Sequence, residues 1–331
     1  MKPFPLDILY DDAARVAGGV DLTPLTNKAV LVTGASGLIG LNLIAALMRS
    51  PVRWIMGASR FGLPPFCRPW LDDPRFIDLR FEKQPVQPPP PDFIIHGAGY
   101  AQPAKFTAQA IDTLRVNVSM TDRLLAASPN ARLLFLSSSE VYSGSKSVPH
   151  VETDIGCTDP SHPRAAYIEG KRCGEAIVNA WRGQGANAAI ARVCLAYGPG
   201  VKADDSRALS EIVRGAVERR HVTLRDSGAA LRAWCYVSDA VEMVLQILLR
   251  GSQPLYNVGG ERAISVRAAA GLVAAMEDAM LEVPASSGTD RTAPYEARVD
   301  IRRYLAEFPG KVFVPLDEGL RRTIAWHKAI A

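Results

Sequence analysis

The sequence predicts an α/β protein built on a doubly wound parallel sheet, with a smaller C-terminal lobe packed beside it. Short β-branched runs alternate with longer stretches of helical periodicity, which is the pattern of a parallel sheet covered by helices. The alternation holds as far as about Pro199 and loosens beyond it. The chain has 331 residues, 48% of them apolar, so it is long enough for one large α/β unit or about two domains with a sizeable core.

The elements follow from this periodicity in chain order. The predicted strands of the sheet are Ala29–Thr33, Val52–Met56, Arg75–Leu79, Phe93–His96, Arg132–Ser137 and Ala188–Val193. The helices predicted between them are Leu38–Arg49, Ile111–Ala127 and Tyr167–Arg182. The elements predicted beyond them are helices Ala208–Arg219, Ser238–Leu249 and Val266–Met280, with short strands near Val222 and at Leu255–Val258. The run Pro85 to Pro91 is predicted as a stiff loop, because proline neither pairs within a sheet nor continues a helix.

Composition and charge argue against several classes of protein. Lys plus Arg number 38 and Asp plus Glu 34, a net charge of +4 that suits small anionic ligands, and no basic run resembles a nucleic-acid-binding stripe. No apolar stretch reaches the ~18 residues of a membrane span, and the N-terminus has no apolar signal core, so we expect a cytoplasmic protein. The five cysteines are scattered and the five histidines never approach ligand spacing, so neither a disulfide scaffold nor a metal site is expected.

A glycine-rich turn follows the first predicted strand and opens the first predicted helix. Its sequence, GASGLIG, places glycines where a backbone turns tightly, approaches a pyrophosphate, and packs helix against strand. The helix N-terminus then offers free N–H groups and a positive dipole end to the phosphates. The alternative is an ordinary glycine turn. The residues predicted to contact a dinucleotide here are Gly34, Ser36, Gly37, Leu38, Ile39 and Gly40.

The choice between NAD and NADP depends on the end of the second strand. An NAD enzyme usually places Asp or Glu there to bind the ribose 2′-hydroxyl, but the stretch from Trp54 to Arg60 contains no acid. Arg60 is either a partner for a 2′-phosphate or a solvated surface arginine. The sequence therefore leans slightly to NADP and leaves NAD open. Glu82, after the third strand, is either an acceptor for the adenine amino group or a surface carboxylate.

Tyr167 and Lys171 are four residues apart and therefore lie on one face of a predicted helix. An ammonium beside a phenol favours the phenolate, so the pKa of Tyr167 is expected to fall. The phenolate is then expected to remove a proton from a sugar hydroxyl while a hydride passes from the sugar to the nicotinamide. Ser138 follows the strand Arg132–Ser137, at the sheet edge where doubly wound sheets bind ligands, and is placed to bond the same hydroxyl. Each feature alone is as well explained by a surface pair or a turn.

Together these residues resemble the extended short-chain dehydrogenase/reductase family, the nucleotide-sugar epimerases and dehydratases, over nearly the whole chain. Further matching segments are Phe93 to Gly99, the helix around Asn117, Arg192 to Pro199, and Arg232 to Asp239. The resemblance implies a Rossmann-type sheet, transient oxidation of a sugar at C4, and Ser138, Tyr167 and Lys171 as the catalytic triad. It also implies that Ala98, Asn117, Tyr167 and Lys171 contact the dinucleotide.

The same resemblance suggests how the chain is divided. Residues 28–198 are predicted as the Rossmann domain that binds the dinucleotide and carries the catalytic residues, and residues 199–331 as mainly a substrate-binding lobe with returns to the core. Residues 1–27 form an N-terminal extension, either a partner arm or a packed tail. A homodimer through the two helices around Asn117 and Tyr167 is implied as well.

Glu140 separates the possible reactions within the family. A carboxylate at this place resembles the decarboxylases and dehydratases, which manage a proton at C5, rather than the plain epimerases. Ser139 and Glu140 together are similar to UDP-glucuronate decarboxylase and GDP-mannose dehydratase, and the segment from Tyr167 to Arg172 favours the decarboxylase. The predicted reaction is therefore decarboxylation of a UDP-linked uronate. The alternatives are a 4,6-dehydratase, an epimerase and, in a different class, a catalytically inactive dinucleotide-binding protein.

The remaining predicted site residues are assigned by family position. Arg232 is expected either to orient the substrate carboxylate and stabilise developing charge, or to bind the pyrophosphate without a role in the chemistry. Arg207 and Arg298 are predicted at the pyrophosphate, which suits a bidentate guanidinium, and Ser139 at the substrate. Leu195 is a departure, because the family usually has an Asn there that contacts the substrate.

Overall fold

The structure is a computed structural model that describes residues 4–80, 88–284 and 294–331. Its strands are β1 (Ala29–Thr33), β2 (Trp54–Ser59), β3 (Phe76–Arg80), β4 (Phe93–His96), β5 (Arg132–Ser138), β6 (Ala188–Val193), β7 (Ala196–Tyr197), β8 (His221–Thr223), β9 (Leu231–Arg232), β10 (Cys235–Tyr236), β11 (Leu255–Val258), β12 (Ile264–Ser265), β13 (Met280–Glu282) and β14 (Glu296–Ala297). Its α-helices are α1 (Pro5–Gly19), α2 (Leu38–Met48), α3 (Arg68–Leu71), α4 (Pro103–Ala108), α5 (Ala110–Asn117), α6 (Ser119–Ala127), α7 (Ala165–Gly183), α8 (Ala208–Arg219), α9 (Val237–Arg250), α10 (Val266–Glu277), α11 (Arg302–Glu307) and α12 (Leu316–Ile330). Short 3₁₀ helices occur at Thr23–Leu25, Pro65–Cys67 and Ser139–Tyr142.

One parallel sheet organises the molecule. It has seven strands in the order β11-β6-β5-β4-β1-β2-β3. From β1 the chain winds outward through β2 and β3, then returns to β4 and winds the other way through β5 and β6. Because the connections leave β1 and β4 in opposite directions, a crevice opens at the carboxyl ends of these two strands. The predicted doubly wound α/β fold is confirmed.

Element boundaries agree with prediction where apolar runs end sharply. β1, β4, β6, β11 and α8 have the predicted ends. β2 begins at Trp54 rather than at Val52, because the amides of Arg53 and Trp54 both donate to the carbonyl of Lys28 and pairing with β1 starts only there. Of the loop predicted from Pro85 to Pro91, residues 85–87 lie outside the described residues, and residues 88–91 form no helix or strand.

The single helix predicted over Ile111–Ala127 is wrong in its extent. The chain forms α5 and α6 instead and bends at Val118, where φ is −101° and ψ is −72°. Asn117 Nδ2 donates to the carbonyl of Thr113 at 2.8 Å, and Thr121 Oγ1 donates to the carbonyl of Asn117 at 2.6 Å. Such bonds from short polar side chains to the preceding turn compete with the helix ladder and bend the helix.

The part of the chain beyond Pro199 has two roles in the architecture. Helices α8, α10 and α12 pack together beside two small sheets, β12-β9-β14 and β13-β8. The rest returns to the large sheet, where β11 pairs with β6 and α9 packs against α1, α2 and β6. No helix in the described ranges combines the length and apolar character that a membrane crossing requires.

The N-terminal extension contains a packed helix. α1 buries Leu6 and Leu9 with other apolar side chains and contacts α2, α9 and α12. Asp12, only 2% exposed, pairs through Oδ1 with Arg322 Nη2 at 3.0 Å and accepts a hydrogen bond from Tyr236 Oη at 2.8 Å. Arg322 Nε donates to the same Tyr236 hydroxyl at 3.0 Å. Of the two alternatives for the extension, the described part is a packed tail.

Arg322→Met is expected to destabilise the protein by about 3–5 kcal/mol at pH 8, because it leaves the buried carboxylate of Asp12 without its cation. Burial raises the pKa of Asp12 to about 6, above its ordinary value of 3.8. Protonation of Asp12 therefore stabilises the folded state as the pH falls through 6, and the deficit of the variant should shrink at pH 5. Urea unfolding of both proteins at the two pH values measures this.

Arg321→Met is the matched control on the same helix. Arg321 is more than half exposed and pairs only with Asp317 one turn away, so its removal should change the free energy of unfolding by no more than about 0.5 kcal/mol. A deficit in Arg322→Met that is the same at pH 5 and pH 8 would contradict the role given to Asp12.

Candidate active site

The glycine turn between β1 and α2 has three glycines with different tasks. Gly34 has φ +76° and its amide donates to the carbonyl of Ala58; a Cβ there would lie 2.5 Å from Gly97 O. A Cβ on Gly40 would lie 2.2 Å from Gly34 O, so this glycine lets helix and strand meet. A Cβ on Gly37 would meet only Gly34 O, at 3.2 Å, and would otherwise point into open space.

The open side of Gly37 fits a pyrophosphate. α2 begins directly after Gly37, which carries no side-chain cap, so the first amides of the helix, including those of Leu38 and Ile39, are free to bind an anion. Ser36 lies within the turn itself. The residues predicted from the glycine pattern are therefore all at one cradle, and that cradle has the shape a dinucleotide requires.

A buried histidine fixes the loop after β4. Burial lowers the pKa of His96 to about 3, so the ring is neutral. Its Nε2 lies 3.2 Å from the carbonyl of Val116, which only accepts, so Nε2 carries the proton and Nδ1 accepts from Thr33 Oγ1 at 2.7 Å. Thr33 Oγ1 in turn accepts from the amide of Ala98 at 3.1 Å. This relay holds Ala98 at the crevice, where it is predicted to contact the dinucleotide.

Asn117 supplies an open acceptor at the crevice. Its Nδ2 is used by Thr113, but its Oδ1 is buried and has no hydrogen-bond partner among the described residues. Gly99 leaves space on this side, since a Cβ on it would stand 3.9 Å from Asn117 Oδ1. Buried polar atoms normally have partners, so an acceptor left open beside the dinucleotide cradle fits a ligand hydroxyl.

Arg60 follows β2 at the mouth of the crevice. It donates to Tyr100 Oη at 2.6 Å, its Nη1 lies 4.0 Å from Asp112 Oδ2, and its side chain is 55% exposed. The guanidinium is therefore oriented by Tyr100 and only weakly neutralised, so it keeps hydrogen-bond donors for a ligand. Glu82, the predicted acceptor for adenine, lies outside the described residues.

The predicted triad meets at the ends of β5 and α7. Tyr167 and Lys171 are both buried on α7, and Ser138, at the end of β5, lies near enough to the Tyr167 hydroxyl to lower its pKa. Ser138 Oγ also accepts from the amide of Glu140 at 3.2 Å, which fixes its rotamer. Lys171 Nζ donates to the carbonyl of Leu136 at 2.7 Å and lies 6.0 Å from the centroid of the Tyr167 ring.

The expected lowering of the Tyr167 pKa is wrong for this arrangement. Burial raises the pKa of Tyr167, and the nearby hydroxyl of Ser138 and the charges of Arg207 and Arg164 offset only part of that effect. Burial also lowers the pKa of Lys171 to about 7, against the opposing charge of Glu175. Desolvation therefore outweighs the Tyr–Lys attraction on which the expectation rested.

Phe106, on α4, covers the ring of Tyr167. The two rings stack with their centroids 4.5 Å apart and their planes 9° from parallel. Phe106 is 1% exposed, so the stack excludes water from that face of Tyr167. The sequence marked Phe106 only as part of a loop that resembles the decarboxylases, and it did not predict this stack, because the two residues are about sixty positions apart and only the fold brings them together.

Glu140 lies in the same pocket and is held by a residue that the sequence did not single out. Arg164 Nη2 donates to Glu140 Oε1 at 2.5 Å, from the N-cap position of α7. Burial raises the pKa of Glu140, while the charges of Arg164, Arg232 and His162 act to lower it. The only sequence signal was the position of Arg164, three residues before Tyr167 on the same helical turn.

The other predicted substrate residues differ in how far protein groups already occupy their hydrogen-bond donors. Arg232 Nη1 donates to two main-chain carbonyls, those of Leu231 at 2.7 Å and Tyr295 at 3.0 Å, and its charge reaches Glu140. Arg207 is engaged by the buried Asp205, with Nη2 and Oδ2 2.9 Å apart. Its charge acts on Tyr167, which places it beside the triad.

Arg298 and Ser139 complete the set. Arg298 Nε lies 3.0 Å from Glu296 Oε1, so an anion at Arg298 has to share it with a carboxylate. Ser139 opens the 3₁₀ turn after β5 and lies near enough to the buried thiol of Cys194 to lower its pKa, and sequence reasoning missed this neighbour. Leu195, next in the chain, has φ +48°, a left-handed conformation that is strained for leucine and easier for the Asn usual in the family.

A buried ion pair supports the triad from behind. Arg192 Nη2 binds Glu175 Oε2 at 2.7 Å, and Ser137 Oγ donates to Glu175 Oε1 at 2.5 Å. Glu175 follows Lys171 by one helical turn, so this pair fixes the strand end and the helix relative to each other. In the described ranges no three or more His, Cys, Asp or Glu side chains converge as a metal site would require.

Fold and site together define an enzyme of the extended short-chain dehydrogenase/reductase type, which uses NAD or NADP on nucleotide-linked sugars. A model of the NAD dependent epimerase/dehydratase family matches residues 30–259, and the chain belongs to that family.

Curated relatives and solved structures agree with this assignment. UDP-glucuronic acid decarboxylase 6 of Arabidopsis thaliana is 31% identical over 239 residues, which cover 71% of this chain and 70% of the relative. UDP-glucuronic acid decarboxylase 1 of Xenopus tropicalis is 29% identical over 311 residues, or 93% of this chain and 74% of the relative. The UDP-glucuronic acid 4-epimerase of Bacillus cereus, solved with UDP-glucuronic acid and NAD, superposes with a TM-score of 0.78 at 20% identity, covering 92% of this chain and 100% of that one. At that identity the likeness concerns the fold alone.

Proposed function

We propose that the protein removes the C6 carboxylate of a UDP-linked uronate through a 4-keto intermediate. The observation that carries the proposal is Glu140, paired with Arg164 beside Tyr167 and within the field of Arg232. A carboxylic acid and two guanidinium groups around the proton-transferring tyrosine suit a sugar with an anionic C6 and a C5 that needs a proton. The decarboxylase names of relatives 28–31% identical to this chain support the same reaction.

The chain's own residues account for the first step. Because Tyr167 is protonated in the free protein, it passes its own proton towards Lys171 as it takes the proton of the C4 hydroxyl, which Ser138 orients. The pKa of Lys171, about 7, leaves part of that amine neutral near neutrality and therefore able to receive the proton. When bound, the dinucleotide supplies the hydride acceptor for C4 and later returns the hydride. The glycine cradle, Ala98 and Asn117 are the residues that would hold it.

The second step needs no special group to break a carbon–carbon bond. Oxidation at C4 makes the uronate a β-keto acid, whose C5–C6 bond breaks as carbon dioxide leaves and the electron pair passes to the C4 oxygen. The hydroxyls of Ser138 and Tyr167 are placed to stabilise that enolate oxygen. Glu140 then donates a proton to C5.

Mass analysis of the product tests the proposal. Purified protein incubated with UDP-glucuronate and either dinucleotide is expected to yield a nucleotide sugar lighter by one carbon dioxide. A product lighter by water from a neutral GDP- or UDP-hexose, with UDP-glucuronate untouched, would contradict it and favour the dehydratase. A product of unchanged mass would favour an epimerase.

A 4,6-dehydratase is the second candidate. The ion pair with Arg164 holds Glu140 as a carboxylate that is able to accept a C5 proton, which is the step a dehydratase needs. The pair Ser139-Glu140 is compatible with both reactions, so the segment from Tyr167 to Arg172 and the decarboxylase names of the relatives favour the decarboxylase. An inactive dinucleotide-binding protein is disfavoured because Ser138, Tyr167 and Lys171 are all in place.

We expect NADP to bind more tightly than NAD, because Arg60, held by Tyr100, directly follows β2 and the stretch from Trp54 to Arg60 contains no acid. Arg60→Ala should remove the difference, since a charge-assisted bond to a phosphate is lost. Arg53→Ala, at the opposite end of the same strand, is the control and should keep it. Titration of both dinucleotides by calorimetry checks this, and equal affinities in the unaltered protein would contradict the role of Arg60.

A homodimer through α5 and α7 and a cytoplasmic location complete the proposal. Ile111 on α5 is 60% exposed, and Cys173, Ala176 and Ala180 form an exposed stripe on α7, so two copies of this face are able to pack closely. Sedimentation equilibrium at micromolar concentration is expected to give twice the mass of one chain, and a monomer would contradict the dimer.

A further inference from the structure

Arg164 has a donor that nothing in the described protein uses. Its Nη2 donates to Glu140 Oε1, whereas its Nε is buried and has no hydrogen-bond partner among the described residues. The Nε and Nη2 donors form one edge of the guanidinium, the edge that binds a carboxylate through two parallel bonds. Glu140 takes only half of that edge through one oxygen, so the geometry fits a second carboxylate better than it fits Glu140.

The position of this edge is fixed by the catalytic ring stack. The Arg164 guanidinium carbon lies 5.7 Å from the centroid of Phe106, whose ring stacks on Tyr167. A cation above an aromatic face is attracted to it, so Arg164 is held beside the tyrosine that takes the C4 proton. A carboxylate on the Nε/Nη2 edge is therefore within the pocket of the reacting sugar.

We infer that the C6 carboxylate of the uronate binds the Nε/Nη2 edge of Arg164 and displaces Glu140, which takes up a proton and becomes the acid that protonates C5. This inference rests on the proposed function and adds to it the residue that recognises the substrate carboxylate. Arg232 is held by the main-chain carbonyls of Leu231 and Tyr295. It then stabilises the negative charge that develops during the reaction and does not bind the carboxylate of the substrate.

The charges around Glu140 explain why it becomes protonated when the substrate carboxylate displaces it from Arg164. Burial raises the pKa of Glu140, and three nearby charges act to lower it. Arg164 has the largest effect of the three, ahead of Arg232 and His162. The other ionisable groups facing it are Tyr167 and Cys194. Once Arg164 turns to the substrate, Glu140 loses its main counter-charge and gains a carboxylate as neighbour, and both changes favour its neutral form.

The exchange balances over one turnover. Substrate binding brings one carboxylate and takes one proton from solvent onto Glu140. Cleavage of C5–C6 releases neutral carbon dioxide and leaves the electron pair on the enolate, which removes the partner of Arg164. Proton transfer from Glu140 to C5 restores the Glu140 carboxylate, and this re-forms the pair with Arg164 seen in the structure. Arg164 thus has a carboxylate partner at every stage except between the loss of carbon dioxide and the protonation of C5.

Calorimetric titration with UDP-glucuronate and with UDP-glucose tests the inference. Tyr167→Phe is used as the common background because it is expected to hold the sugar without turning it over. At pH 8, in two buffers of different ionisation enthalpy, UDP-glucuronate should bind with uptake of about one proton, and UDP-glucose with none. Adding Glu140→Gln should abolish the uptake while UDP-glucuronate still binds.

The arginine variants decide which guanidinium is the receptor. Adding Arg164→Met should lower the affinity for UDP-glucuronate by about 10- to 100-fold, because a charged contact of two hydrogen bonds is lost. The affinity for UDP-glucose should change by no more than about threefold. Arg164→Lys keeps the charge without the fork and should recover only part of the affinity. Arg232→Met is the matched variant and should spare the preference for the uronate.

The outcomes separate this inference from the proposed function. If the unaltered protein decarboxylates UDP-glucuronate but Arg164→Met binds it normally, or the selectivity is lost in Arg232→Met instead, the inference is overturned and the function stands. If the unaltered protein makes no decarboxylated product and prefers UDP-glucose, both are overturned.

Discussion

Tyr167→Phe is expected to lower kcat by about 10²- to 10⁴-fold, the size of effect that a general acid–base group contributes. The phenol is buried and stacked on Phe106, so solvent has little access to take over its proton transfer. The phenylalanine ring keeps the stack, and the fold and the dinucleotide affinity should change little. Product formation and dinucleotide titration measure the two properties separately.

Tyr304→Phe is the matched control for this variant. Tyr304 is also fully buried, but it lies on α11 and its hydroxyl bonds Gln246, far along the chain from the triad. Loss of the Tyr304 hydroxyl should lower the free energy of unfolding by about 1 kcal/mol and change kcat by no more than about twofold. A Tyr167→Phe protein that turned over at more than about a tenth of the normal rate would contradict the role assigned to Tyr167.

Gly37→Ala is expected to weaken the dinucleotide by about 10- to 100-fold with little loss of stability. A Cβ on Gly37 meets only Gly34 O, at 3.2 Å, so the empty protein tolerates it, but the methyl group stands on the side from which a pyrophosphate must approach. Overpacking of this kind costs about 1–3 kcal/mol, which converts to that change in affinity. Fluorescence or calorimetric titration measures it.

Two further glycine variants separate binding from folding. Gly40→Ala places its Cβ 2.2 Å from Gly34 O, a clash with backbone, and should lower the melting temperature as well as the affinity. Gly271→Ala, on α10, meets no atom within 4 Å and should change neither. A Gly37→Ala protein that bound both dinucleotides normally would show that the cradle holds no pyrophosphate.

The parts of the fold that the sequence predicted well are those set by local pattern. β1, β4 and α8 begin and end as expected because polar or glycine residues flank them on both sides. The glycine turn was recognisable because its chemistry depends on residues adjacent in the chain. The bend at Val118 was not, since Asn117 and Thr121 also fit a continuous helix until their side chains bond the preceding turn.

The parts of the site that sequence reasoning missed are set by contacts between distant segments. Arg164 is an ordinary helix-start residue in the sequence, and only the turn after β5 brings Glu140 to it. Phe106 reaches Tyr167 only because α4 folds over α7. The pKa of Tyr167 was expected to fall from its spacing to Lys171, but spacing carries no information on how deeply the pair is buried.

UDP-glucuronate carrying deuterium at C4 tests the central claim of a transient 4-keto sugar most directly. The deuterium should leave C4 with the hydride and return to it, so that the product has lost carbon dioxide and still carries deuterium at C4. The same label should appear on the dinucleotide when the reaction is stopped early. A decarboxylated product formed with no label on the dinucleotide at any time, or no consumption of the substrate at all, would contradict the account.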